Sequence, residues 1–265
     1  MVVGTILPGC AHNRGKNWEA KLGPVPEGPI APEKLKKEIR VKQDHIPKGR
    51  FGRRLNRPMR PQFITVHSTQ NYTGDAFDHA KALKRGALRG GVCGFLCWHF
   101  TVQDNLVVQH IPTDEQGEHA DFDGPGNRYS IGIEMCEHKG NDQAKTIDRT
   151  AKLTAALMYE NDIPIDRVVP HYHWPRRGYK PPNKNCPHFL MDDGKPRGTW
   201  NWFLARVESH HQRLVQHAQL LEQQQQEQNP IPKAPPVMQV KADPPARQER
   251  EVFPLLTPAR PGRPD

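Results

Sequence analysis

The stretch VVPHYHWPRRGYKPPNKNCPHF, residues 168–189, gathers three histidines, one cysteine and several lysines and arginines. Its prolines forbid a helix, because each removes a backbone donor and clashes with the preceding turn. Imidazoles and a thiol on a stiffened loop, placed directly after the apolar run RVV, suit a metal centre. The plainer alternative is a surface loop with ordinary polar residues. Cys186 follows His171 by 15 residues, a span that can fold back on itself.

Two more apolar runs end in reactive side chains: Val66 is followed by His67, and Ile133 by Glu134. In open α/β sheets ligands gather at the carboxyl ends of strands, so His67, Glu134 and His171 can converge on one pocket. Two imidazoles, one thiolate and an open position make a catalytic zinc site. A closed structural site would want a fourth protein ligand. Such an ion is a Lewis acid towards water, and Glu134 can take the proton. Singly, each residue is weak evidence, since a buried cysteine is usually a small hydrophobe. Their joint placement carries the inference.

The surrounding elements must supply that placement. QFITVHS reads as a buried strand, as do YSIGIEMCEH and IDRVVPH. CWHFTVQDNLVVQHIP reads as two strands around a turn at Asp104–Asn105. GDAFDHAKALKRGALRG predicts a helix capped by Asp75 and stopped at Gly90. DQAKTIDRTAKLTAALMYEND predicts a helix whose apolar face carries Ile147, Leu153, Ala156 and Leu157, and GTWNWFLARVESHHQRLVQHAQLLEQQQQ a long final one. Alternating strands and helices imply a single α/β domain with a central mixed sheet flanked by helices. That domain is expected over 61–215, with the glutamine-rich end of the last helix at 216–228. Residues 1–60 read as an extended basic, proline-rich arm, able to pack on the domain, with a short helical piece at APEKLKKEIRV. Ten of the 27 prolines fall in 229–265, so this charged tail is expected to be disordered.

A net charge of +9 suits a polyanionic partner: nucleic acid, anionic lipid or a cell-wall polymer. The charge is scattered, and no nucleic-acid motif is present. Five cysteines, an odd number, leave at least one unpaired and do not make a disulfide framework. No run approaches the roughly 20 apolar residues of a spanning helix. The first residues lack the basic region of a secretory signal. ILPGC resembles a lipoprotein cleavage box, with Cys10 as the lipidated residue if translation begins upstream of Met1.

FITVHSTQN, WHFTVQDNLVVQHIP, EHADFDGPGNRYSIGIEMCEH and the opening stretch, in this order, resemble the zinc-dependent N-acetylmuramoyl-L-alanine amidases of type 2. That family includes phage amidases, autolysins and peptidoglycan recognition proteins; the resemblance covers residues 60–205. It implies a monomer acting on peptidoglycan, not nucleic acid, in the cell envelope or outside the cell. It further implies Zn2+ held by His67, His171 and Cys186, with Glu134 as the catalytic carboxylate and Lys184 supporting the oxyanion. His173, two residues beyond His171, competes for the same role, because alternation along an extended chain would put both on one face. His119 matches a histidine bordering the substrate cleft. Trp98 falls where some phage members carry a catalytic tyrosine, whose role the indole cannot take. The loop 174–185, with Arg176, Arg177 and Lys180, is longer and more basic than the family's usual connection; it is a candidate for gripping an anionic stem peptide or a glycan carboxylate, the alternative being a merely decorated loop. Two rivals stay open: a non-catalytic peptidoglycan-binding module, and a cytosolic recycling amidase for anhydromuramyl peptides. Relatives of the second kind typically carry Asp in place of Cys186.

Overall fold

A computed structural model describes residues 18–90 and 94–228. Cys10, with the lipid anchor considered there, and the proline-rich tail at 229–265 lie outside the described residues. The architecture is a six-stranded mixed sheet flanked by helices.

The core strand β2 (Phe63–Ser68) pairs in parallel with β5 (Ser130–Met135) on one side and β6 (Val168–Pro170) on the other. Beyond β5 come β3 (Phe100–Val102), β4 (Val107–Gln109) and β1 (Val41–Gln43), giving the order β1-β4-β3-β5-β2-β6. β3 and β4 form the antiparallel hairpin expected around Asp104–Asn105. The register sets the site, because His67 lies opposite Glu134 and Val66 opposite Pro170. All three reactive strand ends therefore finish at one level.

Side chains alternate across a strand, and the sheet uses this to separate packing from chemistry. Ile64, Val66, Ile131 and Ile133 join the main apolar core with helices α2 (Pro32–Ile39), α5 (Gln143–Asn161) and α6 (Gly198–Gln228). Thr65, His67, Gly132 and Glu134, the intervening residues, point to the other face. On that face Ala76 and Ala80 of α3 (Ala76–Lys84) pack against Val108.

Asp75 caps α3 as expected, accepting from the Asp78 N–H in a reciprocal capping box. The helix ends at Lys84, before the expected stop at Gly90. Gly86 takes φ +65°, and a Cβ there would also meet the Phe51 and Phe95 rings below 3 Å, so only glycine fits. α5 buries Ile147, Leu153, Ala156 and Leu157 as its spacing predicts.

The segment read as an extended arm contributes more than an arm. The helical piece in APEKLKKEIRV is α2, which buries Leu35 and Ile39; full burial of such a side chain stabilises by about 1.5–3 kcal/mol. β1 then adds to the sheet edge. All three of its side chains are exposed, so it leaves no alternation in the sequence to detect. Among the described residues no helix is long and apolar enough to cross a membrane.

Candidate metal centre and cleft

His67 is the penultimate residue of β2, buried like Ser68 after it, and His171 opens a single 3₁₀ turn (His171–His173) directly after β6. The loop then returns Cys186 to the same point. It is held by the Tyr172 N–H donating to the Cys186 carbonyl at 3.2 Å and the Asn183 side chain donating to the Tyr172 carbonyl at 2.8 Å. One ligand atom from each of His67, His171 and Cys186 lies within 4.8 Å of the others, and all three residues are buried. The Ser68 N–H donates to Cys186 Sγ at 3.3 Å.

The hydrogen bonds around the cluster fix which nitrogen of each ring carries the proton. His171 Nε2 faces the Ala120 carbonyl at 3.1 Å and must donate to it. His119 Nε2 faces the Ser130 carbonyl at 3.2 Å, so its proton is there and its Nδ1 accepts. His67 Nε2, 3.0 Å from His119 Nδ1, must therefore donate. Burial pushes His171 and His119 down to about 3 and His67 well below its ordinary value, so all three rings are neutral at pH 7. Two bare Nδ1 lone pairs, on His67 and His171, are left facing each other at 2.8 Å. That contact is repulsive unless a cation lies against both. Burial, with the Glu134 charge beside it, pushes the Cys186 thiol up to about 12, and a metal ion would reverse this by binding the thiolate. Two imidazoles and a thiolate form a donor set that fits zinc.

Glu134 stands beside the cluster, its Oε1 3.9 Å from His67 Nδ1. Its Oε2 is buried without a hydrogen-bond partner among the described residues. Burial raises this carboxyl to about 7, with the Lys184 charge opposing. A cavity of about 190 Å3 opens in front, and Trp98, His119, Glu134, His171 and Lys184 line it. Its outer wall is a stack: Phe122 on Tyr179 (centroids 6.0 Å apart, planes at 20°), with the Arg176 guanidinium 4.6 Å over the Tyr179 ring. A larger open groove, about 970 Å3, runs along α6, and among the described residues no group of metal-ligating side chains lies in it.

The other expected residues divide. His173 is exposed, its ring against Trp174 at 4.5 Å, and it is outside the ligand group. The alternation that would pair it with His171 fails because the chain turns there instead of extending. Arg176 lines the cleft; Arg177 is exposed and does not. Trp98 lines it too, but its indole N–H is committed to Thr101 Oγ1 at 2.8 Å. Sequence reading missed Asn127, whose Oδ1 accepts from the His119 and Ala120 N–H groups at 2.8 and 2.7 Å. It also missed the Ser68–His188–Glu137 contacts (3.2 and 3.3 Å) behind Cys186. No spacing signal marks either, since both are defined only by the folded loops.

A family model described as N-acetylmuramoyl-L-alanine amidase matches residues 57–189. The chain is 40% identical over 178 residues to the N-acetylmuramoyl-L-alanine amidase CwlH of Bacillus subtilis, covering 64% of this chain and 62% of that protein. It is 39% identical over 175 residues to XlyA of the same organism, covering 64% and 51%. The chain thus spans about half to three-fifths of the length of these curated relatives. Among solved structures, the catalytic domain of XlyA superposes with a TM-score of 0.54 at 40% identity, covering 64% of this chain and 99% of that one. A mutant endolysin from Bacillus subtilis does so at 0.54 and 38%, with the same coverage. With the model matching half of its length and the ligand cluster inside the matched span, the chain belongs to the type 2 N-acetylmuramoyl-L-alanine amidase family.

Proposed function

We propose that this chain is a zinc-dependent amidase that hydrolyses the bond between the lactyl group of N-acetylmuramic acid and L-alanine in peptidoglycan. The observation that carries the reading is the pair of bare Nδ1 atoms beside a buried thiol, with a carboxyl held near neutrality next to them. His67, His171 and Cys186 would hold the ion, which supplies Lewis acidity to a carbonyl oxygen and to water. Glu134, with its carboxyl near 7, is matched to take a proton from the attacking water and return it to the departing alanine nitrogen. The new C–O bond forms first; the C–N bond then breaks as its nitrogen receives the proton Glu134 took from water, so the proton count closes. Lys184 sets a positive charge on the cleft wall where the carbonyl oxygen gains negative charge. Arg176, held over Tyr179, offers a cation to the anionic stem peptide. Hydrolysis of an intact wall would place the protein in the cell envelope or outside the cell.

The test is digestion of purified peptidoglycan with mass analysis of the products. The expected products are stem peptides with a free alanine amino terminus and glycan strands with intact glycosidic bonds. Cleavage only between sugars, or only within the peptide, contradicts the proposal.

A further inference from the structure

The metal-binding atoms of His67 and His171 are fixed by protons on their far sides, and both of those protons go to adjacent residues. His67 Nε2 donates to the His119 ring and His171 Nε2 to the Ala120 carbonyl. We propose that the dipeptide His119–Ala120 is the positioning element of the metal centre, with the His119 ring selecting the tautomer of His67 so that its Nδ1 is free for zinc. The inference rests on the zinc reading of the cluster and is independent of the substrate.

Three features show that this dipeptide is placed for the purpose. First, its backbone is pinned by one side chain. Asn127, 1% exposed, accepts from both N–H groups, and its own Nδ2 donates to Glu118 Oε2 at 3.0 Å. Glu118 is in turn paired with Arg57, so the pin is anchored on both sides.

Second, the His119 ring is locked at its far nitrogen by the Ser130 carbonyl, which can only accept. That leaves Nδ1 as an acceptor aimed at His67 and forbids the other tautomer. Third, the ring occupies a slot that glycines keep open. A Cβ on Gly132 would lie 2.7 Å from the His119 ring, and one on Gly117 would lie 2.7 Å from its Cδ2. Gly132 sits mid-strand without a positive φ, so room for this ring, and not backbone freedom, explains it.

A partner of this kind orients a ligating imidazole and raises its basicity, and removing one typically costs 10- to 100-fold in metal affinity. A neutral imidazole acceptor does so without adding a second negative charge beside Glu134. If His119 is merely a satisfied core residue, any replacement that folds should bind zinc equally well.

The experiment is zinc titration of the full chain against a chromophoric chelator, with the unfolding temperature of the zinc-free protein recorded alongside. His119→Phe keeps a flat ring but offers no acceptor, and its zinc affinity should fall about 10- to 100-fold. In His119→Asn the amide oxygen reaches the position of Nδ1, so affinity should recover to within about threefold of the parent. Zinc-free unfolding temperatures should not track this difference. Equal affinity for parent and His119→Phe, or equal weakness of both variants, overturns the proposal. Nitrogen-15 NMR of the histidines in the unsubstituted protein decides the matter even if a variant fails to fold. Nε2–H tautomers on His67, His119 and His171 are expected, and a Nδ1–H tautomer on His119 overturns the assignment. Both readings are made without substrate, so an inactive but zinc-binding protein would defeat the amidase reading and leave this one standing.

Discussion

Two polar clusters, one half-buried and one fully buried, sit on opposite faces of the sheet, and they handle charge in opposite ways. Between α5 and α6, Asp148 receives Arg206 Nε at 2.7 Å and Lys152 at 3.1 Å, with His210 at 3.4 Å. Burial alone would raise the Asp148 carboxyl, but His210, Lys152 and Arg206 overcome it and hold the group well below the usual carboxylate range. Every charge there meets its opposite within the chain. At the ends of β2 and β6, burial drives His67, His171 and Cys186 towards their uncharged forms, and two lone pairs point at each other. In the first cluster the charges are neutralised as folded, and His210 Nδ1 alone lacks a partner among the described residues; in the second, two facing lone pairs call for a cation. That difference separates a structural ion-pair network from a site, where burial and perturbed titration alone would mark both.

The contrast is most sharply tested at Glu134. Glu134→Gln should lower kcat by about 10²–10⁴-fold while zinc content is unchanged, since it removes the proton acceptor and no ligand. Turnover near the parent's rate would remove Glu134 from the chemistry. The opposite pattern is expected across the sheet. Asp148→Ala strands the buried Arg206 charge and should destabilise the fold by about 3–5 kcal/mol in urea unfolding, with zinc content and kcat unchanged below the transition. A variant as stable as the parent would show that the α5–α6 network contributes nothing.

Acid should dissolve that network before it affects packing. Because the folded Asp148 carboxyl is depressed, its contribution is fully present above the unfolded value of about 3.9 and is lost as pH falls towards the folded one. The stability gap between parent and Asp148→Asn should hold from pH 7 to 5 and shrink by about 1 kcal/mol at pH 3. A gap unchanged at pH 3 contradicts the assignment. The smallest effect belongs to the cleft rim, where Arg176→Ala should raise KM about fivefold, near 1 kcal/mol, with kcat within twofold. A fall in kcat alone would place Arg176 in the chemistry instead.

Much of the site is legible in the sequence because strand ends carry it. Apolar runs terminating in His67, Glu134 and His171 give both the sheet and the convergence, and Cys186 follows from the short returning loop. The hairpin at Asp104–Asn105 and the face of α5 are visible for the same reason, since a period of 2 or 3.6 survives in the residue types. What stays hidden has no period. β1 is bound only through its backbone, so its exposed side chains carry no pattern. His173 is misleading because alternation presumes an extended chain, and a single 3₁₀ turn cancels it. The role of His119 towards His67 depends on which ring nitrogen faces a carbonyl, a fact set by three loops meeting and by no spacing along any one of them.

We propose that the lone pairs of His67 and His171, together with the Cys186 sulfur, hold one zinc ion. Metal analysis of the purified protein beside Cys186→Ala tests it most directly. One equivalent of zinc in the parent, and a small fraction of that in the folded variant, is the predicted result. A parent that takes up no zinc, or a variant that keeps a full equivalent, would contradict it.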